Sequence, residues 1–180
     1  MKKGALFLAF SLLIVISYLN ISSAVSISYK ENYLPHETLL AKISGEIEKS
    51  INVNDIVFYR GYKEIPISHD LININGNYYL SALLPEIEGN YSFIIKNITY
   101  LQSRVTKKET FERNFTISGN GTLQVSPAFF IISKQFSVYL ENFGQSKEFK
   151  AEFFNQKYSI TILPKDASTV YFTLPENEDF

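Results

Sequence analysis

The chain has 180 residues, 46% of them hydrophobic, 15% aromatic and 19% charged, which is apolar enough for a packed core and excludes disorder along most of its length. It has no cysteine, so disulfides, thiolate metal sites, thiol nucleophiles and a lipidated cysteine anchor are excluded. Basic and acidic residues number 17 and 18; with Lys2 and Lys3 assigned to a leader, 15 basic residues face 18 acidic ones, a net charge of −3 that is the wrong sign for a nucleic-acid binder.

The first predicted element is that leader. Lys2-Lys3, the apolar run Ala5 to Leu19 and the small residues Ser22-Ser23-Ala24 follow the order of a secretory signal, with cleavage expected after Ala24. Residues 1–24 are assigned as a signal peptide. The alternative is an uncleaved signal-anchor helix, because Gly4 to Ile21 reaches the lower part of the roughly 17 to 25 residues that cross a bilayer. Either way the remainder is expected outside the cytoplasm, extracellular or at the cell surface, touching a membrane only through that helix.

Beyond the leader no helical periodicity persists, whereas short alternating segments recur between turn signals, the mark of an all-β chain. In order, strands are expected at Ser26 to Tyr29, through Leu39, Ala41 and Ile43, at Ile56 to Arg60, Tyr78 to Leu83, Tyr91 to Ile95 and Phe115 to Ile117. The later ones run through Phe136, Val138 and Leu140; Phe149, Ala151 and Phe153; Tyr158, Ile160 and Ile162; and Val170, Phe172 and Leu174. Each set steps by two, as one buried sheet face requires. Asn75-Gly76 and Asn155-Gln156 read as tight hairpin turns. Ser118-Gly119-Asn120-Gly121, following a charged stretch from Arg104 to Arg113, is taken as a domain boundary. The expected fold is two immunoglobulin-like antiparallel β-sandwiches after an N-terminal signal helix. Residues 25–118 form the first, close to the ~100 of such a domain. Residues 119–180 form a second, short or incomplete one, whose last sheet is completed by another chain or by more of a longer protein.

Tyr33-Leu34-Pro35-His36-Glu37-Thr38-Leu39-Leu40-Ala41 resembles the opening of many extracellular immunoglobulin-like domains, macroglobulin domains included, where Tyr-x-Pro-Gly-Glu leads into a strand. His36 replaces the usual Gly and is expected in a left-handed turn. Leu84 to Phe93 resembles the Gly-x-Tyr signature of a tyrosine corner, with Tyr91 in that role. The second unit resembles the CARDB or NEW3 modules of prokaryotic surface and secreted proteins, archaeal ones included, at Leu123-Gln124-Val125-Ser126-Pro127 and at Val138-Tyr139-Leu140-Glu141-Asn142-Phe143-Gly144. The resemblance implies adhesive or spacer modules with no catalytic residue and no cofactor.

The residues themselves supply little chemistry. His36-Glu37 and His69-Asp70 belong to no metal-ligand or dyad spacing and read as turn or loop residues. Glu86 and Glu88 read as a solvated loop rather than a glycosidase pair, and Asp55, Asp70 and Glu88 are too dispersed for calcium. No nucleophile elbow, phosphate loop or dinucleotide fingerprint occurs. Lys107-Lys108 reads as a solvated pair. Tyr78-Tyr79, Phe129-Phe130 and Phe153-Phe154 are each expected to put one ring inside a strand and one outside. Beyond the leader, four Asn-x-Ser/Thr triplets, at Asn90, Asn97, Asn114 and Asn120, exceed the about two that chance supplies and are candidate N-glycosylation sites.

Together these features describe a non-enzymatic exported envelope or surface module acting in structure, adhesion or protein interaction. Its expected partners are other envelope proteins, further domains of the same protein, or glycans. The alternatives are a glycan-binding module and the accessory domains of a larger secreted enzyme.

Overall fold

A computed structural model describes residues 25–127, 129, 135–153 and 155–173. The expected leader, Phe130, Phe154 and the end of the chain lie outside these residues. The described chain is all-β. Its strands are β1 (Val25–Tyr29), β2 (Asn32–Tyr33), β3 (Thr38–Gly45), β4 (Ile56–Arg60), β5 (Lys63–Ile65), β6 (His69–Ile74), β7 (Asn77–Leu83), β8 (Gly89–Gln102), β9 (Val105–Ile117), β10 (Leu123–Ser126), β11 (Gln135–Asn142), β12 (Lys147–Phe153), β13 (Gln156–Ile162) and β14 (Ala167–Thr173). A single 3₁₀ turn, Val53–Asp55, precedes β4, capped reciprocally by Asn52 and Asp55.

Two sheets share the first core. One has the order β1-β3-β7-β6 and the other β2-β9-β8-β4-β5, with β2 parallel to β9 and the other pairs antiparallel. Alternation explains their inner faces: Leu39, Ala41 and Ile43 of β3, Tyr78, Leu80 and Ala82 of β7, and Tyr91, Phe93 and Ile95 of β8 all enter one hydrophobic cluster. The remaining strands form a three-stranded sheet, β10-β11-β14, and a two-stranded sheet, β12-β13. Their apolar side chains make a separate cluster around Leu140, Ile162, Val170 and Phe172.

The Asn75-Gly76 turn closes β6 on β7 with both residues at positive φ, 50° and 81°, the conformation that matches strand twist in a two-residue hairpin. Three expectations are corrected. The strands expected at Tyr91 to Ile95 and Phe115 to Ile117 are longer: β8 runs on to Gln102 and β9 begins at Val105, so most of the charged stretch from Arg104 to Arg113 is strand. Val105 to Thr110 are all exposed, so this half of the strand lacks the apolar alternation that marks a buried face, and its turn, Ser103-Arg104, adopts positive φ without glycine. The later hairpin turn is displaced by one residue, because Gln156 already pairs with Phe153. Phe129 lies in a bend rather than a strand.

Candidate functional site

The most polar concavity lies on β8 and β9. Alternation sends Tyr91 and Phe115 inward, so Asn90, Ser92, Asn114 and Thr116 share the opposite face. Antiparallel register sets Asn90 opposite Thr116 and Ser92 opposite Asn114, so two Asn-x-Ser/Thr triplets lie head to tail across the ladder. The Thr116 hydroxyl donates to Asn90 Oδ1 at 3.2 Å. With Glu31, Asn32 and Glu112 these side chains border an open depression of about 490 Å³. Asn97 stands at the β8 bulge with φ 59°, its backbone N–H donating to Thr110 Oγ1. Asn120 lies between β9 and β10, outside every strand, and all four asparagines are exposed.

Tyr91 begins the inner face of β8. Its ring is buried and stacks on Phe115 with centroids 5.5 Å apart, and its hydroxyl donates to the Ile87 carbonyl at 2.6 Å. Burial raises its phenol pKa, the nearby Arg60 charge opposing. Arg60 in turn donates to the Glu88 carbonyl at 3.0 Å, and the Glu88 carboxylate accepts from the Gly119 backbone at 2.9 Å. Glu88 therefore holds the loop after β9, while Glu86 is exposed; the two do not act as a paired acid and base.

Both histidines hold backbone or pack. His36 has φ 63° and its ring lies flat on Phe143, centroids 3.7 Å apart, bringing the turn before β3 against the end of β11. The same turn is tied by Glu37, which accepts from the Leu34 N–H and pairs with Lys30 at 2.6 Å. His69 places Nδ1 2.7 Å from the Ile67 carbonyl and Nε2 3.2 Å from the Val53 carbonyl. Carbonyls only accept, so a ring nitrogen that bonds to either of them is the one carrying a proton. Among the described residues no three His, Cys, Asp or Glu side chains gather in a way that could hold a metal ion. No described helix is long and apolar enough to cross a membrane.

Among the described residues, the members of the aromatic pairs do not converge on a common platform. Tyr78 is buried, and the Tyr79 ring is covered by Phe129, stacked at 5.1 Å. Phe153 meets Phe136 edge-on at 4.8 Å. That contact belongs to a groove of about 270 Å³ between β12 and the β10-β11-β14 sheet, lined by Val125, Phe136, Val138, Ala151, Phe153 and Phe172. Sequence reasoning missed this groove; the one signal for it was the small number of strands after residue 118. Sequence reasoning also missed the role of Asn142, which is 1% exposed. Its Nδ2 donates to the carbonyls of Gln145 and Ile162 at 2.8 and 2.9 Å, and its Oδ1 accepts from Gly144 N–H at 3.0 Å. The Asn-x-Gly at the end of β11 is thus a buried clasp on the chain leaving β13.

No family model matches the chain, and no curated protein matches it. Among solved structures it is similar to a DUF4785 family protein from Legionella pneumophila, with 16% identity and a TM-score of 0.38 over 87% of this chain; it spans about half, 49%, of that protein's length.

Proposed function

We propose that the protein is a non-enzymatic, exported module of the cell envelope, built of two immunoglobulin-like sandwiches, that recognises its partner by strand addition along β12. In support of the architecture, β1-β3-β7-β6 facing β9-β8-β4 follows the A-B-E-D and G-F-C orders of that sandwich. The Tyr91 hydroxyl on the Ile87 carbonyl is the bond of a tyrosine corner. On the same scheme β10, β11 and β14 occupy the A, B and E positions and β12 the C position, and no described strand takes F or G.

The observation that carries the function is the edge this leaves. Among the described residues β12 pairs with β13 alone, whereas β4, its counterpart, lies between β5 and β8. No second strand among the described residues pairs with β12, whose Ala151, Glu152 and Phe153 line the groove with Phe136 and Phe172. An incoming extended segment gains main-chain hydrogen bonds from such an edge and seats alternate apolar side chains in the groove. The test is a photo-cross-linking residue installed in the cell at Glu152, beside the groove, and in a separate variant at Lys108, on the outer half of β9. Adducts from Glu152 alone, mapping to an extended segment of a second polypeptide, are expected. Equal adducts from both positions, or none from Glu152, would overturn strand addition, and recovery of the chain in the cytoplasmic fraction would overturn export.

A further inference from the structure

The four Asn-x-Ser/Thr triplets differ in their middle residue. In three it is Tyr91, Ile98 or Phe115, which are 3%, 2% and 3% exposed and belong to the first core. In the fourth it is Gly121, with no side chain to bury. The difference matters because a transferase must bring the acceptor amide and the hydroxyl two residues on into one site, and so must lift the whole triplet off the protein. Lifting any triplet of β8 or β9 breaks the ladder between them and pulls a core side chain into water. For Asn90 and Asn114 the hydroxyls are engaged as well: Ser92 is buried and Thr116 donates to Asn90.

Asn120-Gly121-Thr122 has none of these restraints. It lies between strands, and Asn120 and Thr122 are both exposed. The bridge is pinned on the side of β9 by Ser118 N–H on the Tyr33 carbonyl and Gly119 N–H on Glu88; on the other side, Phe143 N–H donates to the Thr122 carbonyl. Gly121 itself lies flat against the Pro35 carbonyl, where a Cβ would fall 1.8 Å from the oxygen. Raising this triplet costs the Thr122 carbonyl hydrogen bond and the contacts of Gly121 with Pro35 and of Thr122 with Gly144, but draws no side chain out of either hydrophobic cluster.

We propose that Asn120 is the N-glycan acceptor that stays usable once the protein has folded, and that Asn90, Asn97 and Asn114 accept only before β8 and β9 pair. The donor is a polyprenyl-pyrophosphate-linked oligosaccharide. Asn120 Nδ2 bonds to its anomeric carbon, and the bond from that carbon to the pyrophosphate oxygen breaks. The polyprenyl pyrophosphate leaves with the bonding electrons, and the amide gives up one proton. In the cell this rests on the export reading, because such donors serve exported chains; the order of acceptors does not. The sugar would stand on the bridge between the two hydrophobic clusters.

The experiment offers the purified, folded full chain to a single-subunit oligosaccharyltransferase that reads Asn-x-Ser/Thr alone, with its lipid-linked donor, beside four synthetic peptides that each carry one triplet. All four peptides are expected to accept. The folded chain is expected to gain one glycan by intact mass, and Asn120→Gln, an exposed substitution, to gain none. A glycan on Asn90, Asn97 or Asn114 of the folded chain, or an unmodified folded chain, would overturn the proposal, as would refusal of the Asn120 peptide. Cell fractionation reads the export question separately: a cytoplasmic chain that still accepts at Asn120 in vitro defeats export and leaves the acceptor order intact.

Discussion

β4 of the first core has β8 along one edge and β5 along the other, and β8 is backed in turn by β9; β12 of the second core has β13 and, among the described residues, no other strand. The consequence shows in burial. Among the described residues, twenty hydrophobic side chains are buried in the first cluster and four in the second, where Phe136, Val138, Phe149 and Phe153 are only partly buried. The first core closes by apolar packing. The second substitutes a polar device, the buried Asn142 amide, for part of the packing it lacks. β4 is thus interior to its sheet, whereas β12 is, among the described residues, an edge strand.

The sharpest way to break this comparison is to truncate one phenylalanine in each core. Phe93→Ala, at 0% exposure, is expected to cost about 3–5 kcal/mol. Phe172→Ala, beside the open groove, should cost about half as much, since surrounding groups already border solvent and less of a closed cavity forms. Urea unfolding followed by tyrosine fluorescence measures both, and equal costs would mean that the second core is as closed as the first.

Asn142→Ala should destabilise the second core by on the order of 3 kcal/mol, because it orphans buried carbonyls and the Gly144 N–H together. Hydrogen exchange should then quicken in β11 and β13 and stay unchanged in β8; a uniform change would show that the two cores unfold as one unit.

A pH titration probes the first core at Tyr33. Its hydroxyl is buried with no hydrogen bond of normal geometry, and burial, with smaller additions from Glu37 and Tyr29 and partial opposition from the Lys30 backbone, pushes the phenol up to about 12. The neutral form is the one favoured by folding, so this contribution is whole below the ordinary value of 10.0 and is lost as pH rises from there to about 12. Phenolate absorbance should show one late-titrating tyrosine in the parent that is absent from Tyr33→Phe. Tyr91→Phe, which removes a single hydrogen bond to Ile87, should cost about 1 kcal/mol by urea unfolding. Smallest of all, Lys30→Ala should change stability by no more than about 0.5 kcal/mol, since its ion pair with Glu37 is partly exposed.

Much of the first core was legible because the residues of β3 and β7 that face the other sheet are apolar and step by two, Leu39, Ala41 and Ile43 on one and Tyr78, Leu80 and Ala82 on the other. The outer half of β9 escaped that pattern. Its residues Val105 to Thr110 are all exposed and carry no apolar alternation, and pairing with β8 holds them in strand. At the candidate sites, Tyr91 was legible from its place after Gly89, and left-handed His36 from its place in the turn. The stack of His36 on Phe143 was not, since 107 positions separate them. The groove beside β12 was hidden for another reason: no residue in it is unusual, and it exists because of which strands are adjacent.

The parallel pairing of β2 with β9 has a mechanical meaning. Pulling the chain from the start of the first core and from its exit after β9 drags the two-residue β2 and the end of β9 in opposite directions along their common axis. The Thr116 N–H bond to the Glu31 carbonyl and the Ser118 N–H bond to the Tyr33 carbonyl, at 2.8 and 3.0 Å, then bear load side by side rather than opening one after the other. Tension entering at Val25 would load the pairing of β1 with β3 and then this shear clamp before it reached the strands behind them.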